Sequence, residues 1–286
     1  MPPKVVTTAF ANLGHMSLYS GCYAAGCVLL VMMALEFPMD WPAVAAALAT
    51  TWFIYLLHRI RVARTPGVAW SQRILYYGRN RKLVRVALWG SGAASFVALL
   101  FVQPWACLLI PASICGMLFY SHGSNGKRVR DRFILKNAMV ALSMAMFCMV
   151  LAFLGAGTVP GGDPTVLFVL FVLFLVILSD AILCDFADIE VDKQTLTRTV
   201  PVQLGNGRAW MVADSILLGS GLFLVFLWWS GSVPGIVGLG IPFLLVSTQF
   251  LLRCFKAEQL RHAVDLRLPI AVTVVFLVLT CINPSI

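Results

Sequence analysis

Nine apolar runs, each near the length a helix needs to cross a bilayer, leave this chain little alternative to a bundle of membrane-spanning helices. They are Met16–Leu35, Trp41–Leu57, Leu83–Val102, Trp105–Tyr120, Ala138–Leu154, Thr165–Leu183, Trp210–Trp229, Ile236–Leu252 and Leu268–Cys281. The fourth and ninth are the shortest, and only Gln103 and Pro104 join the third to the fourth, which reads as a tight turn. Hydrophobic residues fill 60% of the positions and charged residues 12%, a balance that excludes an ordinary soluble core. The expected fold is all-α, a polytopic membrane protein forming one integral domain over 1–286. Neither an appended soluble domain nor a cleavable signal peptide is expected.

Charge placement orients the bundle. Lys4, the stretch Arg59 to Arg85, the stretch Lys127 to Lys136, the stretch Lys193 to Arg208 and the stretch Arg253 to Arg267 all fall on one side of a nine-span layout. The opposite loops hold only Glu36, Asp40 and Asp163. The positive-inside rule therefore puts the N-terminus and the basic loops in the cytoplasm and the C-terminus on the other side. The net charge of +9 then reflects topology and contact with lipid headgroups, with no nucleic-acid partner implied. The eight cysteines lie almost all within apolar runs and read as small buried hydrophobes, and His15, His58, His122 and His262 have no spacing that points to zinc.

One segment departs from this economy of charge. Ser179-Asp180-Ala181-Ile182-Leu183-Cys184-Asp185-Phe186-Ala187-Asp188-Ile189-Glu190-Val191-Asp192 follows directly on the apolar run Val166–Leu178. Acidic side chains are costly at the edge of hydrocarbon and mark functional sites there. Asp185, Asp188 and Asp192 stand at i, i+3 and i+7, a spacing that places three carboxylates on one face of a helix. Such a trio repels itself unless a cation sits among it, and Mg²⁺ takes carboxylate oxygens while sharing them with substrate phosphates. The competing reading is a solvated acidic loop end. Facing it, across an up-and-down bundle, is the basic stretch after the second run: Tyr55-Leu56-Leu57-His58-Arg59-Ile60-Arg61-Val62. Arginine forks suit phosphate oxygens, so an acidic face opposite a cationic one makes a cradle for a diphosphate. A third basic loop, Tyr120 to Asn137, carries Lys127, Arg128, Lys136 and Asn137 toward the same interface.

These residues resemble a known family. Asp185-Phe186-Ala187-Asp188-Ile189-Glu190-Val191-Asp192, followed by Arg198-Thr199-Val200-Pro201-Val202-Gln203-Leu204-Gly205, is similar to the second aspartate motif of the UbiA superfamily of intramembrane prenyltransferases, D-x-x-D-x-E-G-D and then T-L-P-x-x-L-G. The resemblance implies a UbiA-like helical bundle that moves a prenyl group from a polyprenyl diphosphate to a lipophilic or aromatic acceptor within the membrane. It implies Mg²⁺ at Asp185, Asp188 and Asp192, with the diphosphate met by Arg59, Arg61, Lys127, Arg128, Lys136 and Asn137. Tyr55, Tyr120 and Phe186 would shelter the allylic cation. Asp180, deeper in the span, reads as an acid–base or acceptor-orienting catalytic residue, or as the partner of a buried basic one.

The family's first motif, N-D-x-x-D-x-x-x-D or Y-x-x-D-R-x-x-D, is altered. Tyr55 and Arg59 match the shorter form, but His58 and Val62 occupy the carboxylate positions, and no aspartate lies between Asp40 and Asp131. Either cations take over the electrostatic work of one metal, or diphosphate chemistry has been lost. Alternatives outside prenyl transfer are another isoprenoid reaction on the same fold, a non-catalytic lipid-binding or assembly protein, and a secondary transporter. A transporter would place its charges near the midplane. The orientation is testable directly: a cysteine introduced into the loop 155–165 should react only with impermeant reagents added outside the cytoplasm, and labelling from the cytoplasmic face alone would refute it.

Overall fold

The computed structural model describes residues 4–63, 72–122, 131–159, 161–194 and 196–282. Among these it contains helices and no strands. Every apolar run coincides with a helix. In order these are α1 (Lys4–His15), α2 (Leu18–Ala34), α3 (Trp41–Ala63), α4 (Gln72–Arg79), α5 (Arg81–Val102), α6 (Leu109–Ser121), α7 (Leu135–Gly155), α8 (Pro164–Cys184), α9 (Ile189–Gln194), α10 (Val200–Leu204), α11 (Asn206–Trp229), α12 (Ile241–Leu252) and α13 (Ala257–Ile282). Short 3₁₀ turns occupy Pro104–Leu108 and Asp185–Asp188, and a π-helical turn, Ile236–Gly240, leads into α12.

Seven helices among the described residues are long and apolar enough to cross a membrane, and eight if the bent pair Ala9–His15 and Leu18–Ala34 counts as one span. The expected count of nine is reached only by adding Ile236–Leu252, which is apolar but shorter. Two expected boundaries move. α3 continues past Leu57 to Ala63, and α13 begins at Ala257 rather than at Leu268. Both extensions carry charged residues on helix, which hydropathy alone assigns to loops.

α2 is the hub. It is buried around most of its circumference and packs against α3, α7 and α13. Its small residues allow close approach: a Cβ on Gly21 would lie 2.7 Å from the Leu48 carbonyl oxygen, and one on Gly26 would lie 2.9 Å from the Cα of Pro269. Pro269 stands inside α13, where the ring is tolerated because a neighbouring helix takes up the altered surface. A second half forms around α8, which packs against α7, α11 and α13. Outside, the polarity of a soluble protein is inverted. Trp89, Phe101, Trp229 and Phe243 are among many large apolar residues left exposed, and α6 buries no residue at all. Soluble monomers rarely expose apolar surface on this scale, so lipid must cover it.

Because the obstacle at Gly26 is backbone rather than a pliable side chain, Gly26→Ala should push α2 from α13 and cost about 1–3 kcal/mol. The expected result is a lower melting temperature in detergent, and an unchanged one would show that the contact is loose.

Candidate functional site

The ends of α3, α7, α8 and α13 that adjoin the basic loops hold most of the ionisable side chains inside the bundle. α8 ends at Cys184, and the chain tightens through the turn Asp185–Asp188 before resuming as α9. Asp185 and Asp192 are both buried there. Lys136, near the start of α7, reaches both: its Nζ donates to Asp185 Oδ1 at 2.8 Å and to Asp192 Oδ2 at 3.3 Å. Asn137 Nδ2 donates to the other oxygen of Asp185 at 2.9 Å. Ile134 precedes them with φ at 54°, a strained value for a β-branched residue that the ion pairs formed by the next turn help to hold.

Asp188 turns elsewhere. Its Oδ2 accepts from Arg261 Nη1 of α13 at 2.6 Å. The expectation of three carboxylates gathered on one cation is therefore modified: two share Lys136 and the third has a guanidinium of its own. No group of three or more His, Cys, Asp or Glu among the described residues is arranged to hold a metal.

Across from these, on α3, Arg59 lies over the ring of Tyr55 at 6.0 Å, and its buried Nε has no hydrogen-bond partner among the described residues. The charges of Arg261, Asp188 and Asp265 act on it. His58, standing where the first motif would have a carboxylate, is committed to α6: its Nδ1 lies 3.3 Å from Ser121 Oγ, and its ring meets Tyr120 edge-on at 6.1 Å. Arg61 is exposed. Lys127 and Arg128 lie outside the described residues. The segment after the acidic turn is fastened by Asp131, whose carboxylate accepts from Thr197 Oγ1 at 3.1 Å and whose carbonyl accepts from the Arg198 backbone N–H at 3.1 Å. It then folds into α10 behind Pro201 and leaves through Gly205, at φ 78° and ψ 163°, a conformation open essentially to glycine.

Residues 71–267 match the UbiA prenyltransferase family. The chain belongs to that family. Solved structures of the fold agree along nearly the whole length. A UbiA homologue from Aeropyrum pernix K1, in its apo form, superposes with a TM-score of 0.61 at 16% identity, covering 92% of this chain and 98% of that one. A UbiA homologue from Archaeoglobus fulgidus, bound to GPP and Mg²⁺, gives 0.63 at 11% identity, covering 94% and 99%. A digeranylgeranylglyceryl phosphate synthase gives 0.51 at 14%, covering 93% and 95%. No curated protein sequence matches the chain.

Within this UbiA chain, Asp180 sits apart from the acidic turn. It is buried, accepts from Tyr23 Oη at 2.7 Å and pairs with Arg267 of α13. Arg267 also donates to Gln249, whose Nε2 reaches Asp214 Oδ1 at 2.6 Å, and Arg253 closes the series on Asp214. Of the two readings open for Asp180, the structure displays the partner of a buried basic residue. Arg261 and Asp265 were not distinguished in the sequence from other charges of a basic loop. Their spacing of one helical turn just ahead of the last apolar run is the signal that would have separated them.

Removing one partner of a buried ion pair leaves the other charge uncompensated, at about 3–5 kcal/mol. Lys136→Met should therefore lower thermal stability in detergent severely, and combining it with Asp185→Asn and Asp192→Asn should recover most of the loss. Equal stability of Lys136→Met and wild type would mean that the ammonium is not what neutralises the turn.

Proposed function

We propose that this protein transfers a prenyl group from an allylic prenyl diphosphate to a lipophilic acceptor, at the cytoplasmic end of its helical bundle. The observation that carries the reading is the convergence of Lys136, Asn137 and Arg261 with Asp185, Asp188 and Asp192 at one end of the helical bundle, with Arg59 of α3 electrostatically coupled to Asp188 and Arg261. It is supported by family membership and by the Archaeoglobus homologue bound to GPP and Mg²⁺.

The reaction asks for two environments. Breaking the allylic C–O bond leaves the electron pair with diphosphate and positive charge on the prenyl carbon. The acceptor then forms the new bond and gives up a proton. Fixed cations stabilise the leaving diphosphate in a water-poor site, and aromatic faces stabilise the carbon. Lys136, Arg59 and Arg261 supply the first, with Asn137 setting the orientation of Asp185. Tyr55, beside Arg59, and Tyr120, beside His58, would serve the second. The prenyl tail lies among the apolar helices.

Asp185 and Asp192 already focus two hard oxygen donors on one cation, the Lys136 ammonium, so they fit a single divalent ion once that side chain moves toward substrate. The end of α3 offers His58 and Val62 and does not fit one. When bound, Mg²⁺ would supply charge to the leaving diphosphate. A non-catalytic lipid binder is the second reading, favoured by the cations that already satisfy the acidic turn.

With full-length protein in detergent or vesicles, isotopically labelled geranyl diphosphate and membrane lipid extract, wild type should release diphosphate and transfer label to an organic-soluble product. Asp192→Asn should reduce this by roughly a hundredfold or more while the protein stays monodisperse. Binding without release in wild type would favour the second reading, and absence of both binding and release would overturn the first.

A further inference from the structure

The seam between α11 and α12, on the outer face of the bundle, is hollow. α11 leads away from the end that carries the basic loops and α12 returns to it, so the two helices pack antiparallel. The seam stays open where its lining residues are small, at Gly221 and Ser247. A cavity of about 400 Å³ is lined there by Leu218, Leu222, Val225, Leu239 and Phe243. A second, of about 140 Å³, is lined by Asp214, Gln249, Phe250 and Arg253. Leu218 and Val246 line both, which makes them successive stretches of one groove. It is apolar along most of its length and polar only at the end nearer the basic loops. Leu218, Leu222 and Phe243 are exposed along it, so its open side faces lipid.

The polar end is held in place from inside. Asp214 accepts from Gln249 Nε2 at 2.6 Å, and Gln249 accepts in turn from Arg267. Arg253 donates through Nη2 to Asp214 and lies over the ring of Trp210 at 5.2 Å. These contacts set the guanidinium at the mouth of the groove, and 51% of the side chain remains exposed, which leaves N–H donors for a ligand. Arg208, in the first turn of α11, and Lys256, just after α12, are exposed at the same end. The charge there suits an anion. From Asp214 to Val225 the helix rises about 16 Å at about 1.5 Å per residue. That is close to one leaflet of a hydrocarbon core about 30 Å thick. An inorganic anion would fill only the polar end, and an uncharged lipid would bring no acceptor to the guanidinium.

We propose that this groove binds one anionic phospholipid from the leaflet on the side of the basic loops, with its phosphate on Arg253 and one acyl chain lying between α11 and α12 from Leu218 to Val225. The site is separate from the acidic turn and does not depend on the chain's acting as a prenyltransferase. Arginine suits the headgroup because its planar fork matches phosphate oxygens. Through Asp214 and Gln249 the headgroup adjoins the buried pair of Arg267 and Asp180. A lipid bound only to the folded protein therefore stabilises the polar network that joins α8, α11, α12 and α13.

The probes are phosphatidylglycerol and phosphatidylcholine with identical acyl chains, titrated into full-length protein that has been stripped of lipid in detergent. Native mass spectrometry counts the bound lipid, and thermal unfolding is followed in parallel. Wild type should retain one phosphatidylglycerol in preference to phosphatidylcholine, and its melting temperature should rise as that lipid saturates. Arg253→Met should reduce the preference about fivefold, the loss expected for one basic residue at an anionic surface. Arg253→Lys, which keeps the charge, should retain most of it. Ser247→Phe fills the apolar stretch and should weaken both lipids while leaving the preference between them. Both positions are exposed, so these variants should melt like wild type when stripped, which separates lost binding from lost folding. Lys82→Met, which removes an exposed charge from the start of α5, should change nothing. Equal binding of the two lipids by wild type, or an undiminished preference in Arg253→Met, would overturn the proposal. A loss in Lys82→Met as large as that in Arg253→Met would also overturn it, by showing surface charge in general at work. Reproduction of the thermal shift by inorganic phosphate would overturn it in favour of a free-anion site, and unchanged affinity in Ser247→Phe would remove the acyl chain from the groove.

Discussion

The acidic turn after α8 can sit at the end of an apolar bundle only because cations from other helices reach it. Two unit charges 4 Å apart attract by about 4 kcal/mol at the effective dielectric of a protein's outer regions, and the same sum applies with opposite sign to the carboxylates among themselves. Lys136 offsets the repulsion between Asp185 and Asp192 by touching both, and Arg261 does the same for Asp188. These contacts join α7 and α13 to the turn that follows α8. The electrostatic requirement of three aspartates thus becomes a mechanical one, fixing which helix ends meet.

A second polar system lies deeper and obeys the same rule to a different end. Asp180, Arg267, Gln249 and Asp214 link α8, α13, α12 and α11, with Tyr23 of α2 attached to Asp180. Ionisable groups inside a membrane bundle are expensive and survive by pairing. Arg267 commits both terminal nitrogens to protein acceptors.

How much of this was legible in the sequence depended on what each residue had to satisfy. The apolar runs became helices because a backbone in lipid has no other means of pairing its polar groups. The aspartates announced themselves by their cost, and Lys136-Asn137 by its position at the mouth of a span. Spacing set three carboxylates on one face and called for a cation among them, but it could not say which side chains would reach them; in the structure Lys136 of α7 reaches Asp185 and Asp192, and Arg261 of α13 reaches Asp188. Arg261 was hidden for the opposite reason. A hydropathy reading stops a span at the first cluster of charges, whereas a helix continues through them when neighbouring helices supply partners. α13 therefore begins at Ala257 and carries Arg261, Asp265 and Arg267 inward, and α3 carries Arg59 in the same way.

The altered end of α3 follows from the same electrostatics. Two carboxylates and one divalent ion together carry no net charge, and neither do a neutral histidine and a valine. Exchanging one set for the other leaves the field on a bound diphosphate nearly unchanged at long range and removes only direct coordination. Affinity on such a site is expected to follow the charge of the leaving group more closely than the length of the chain attached to it.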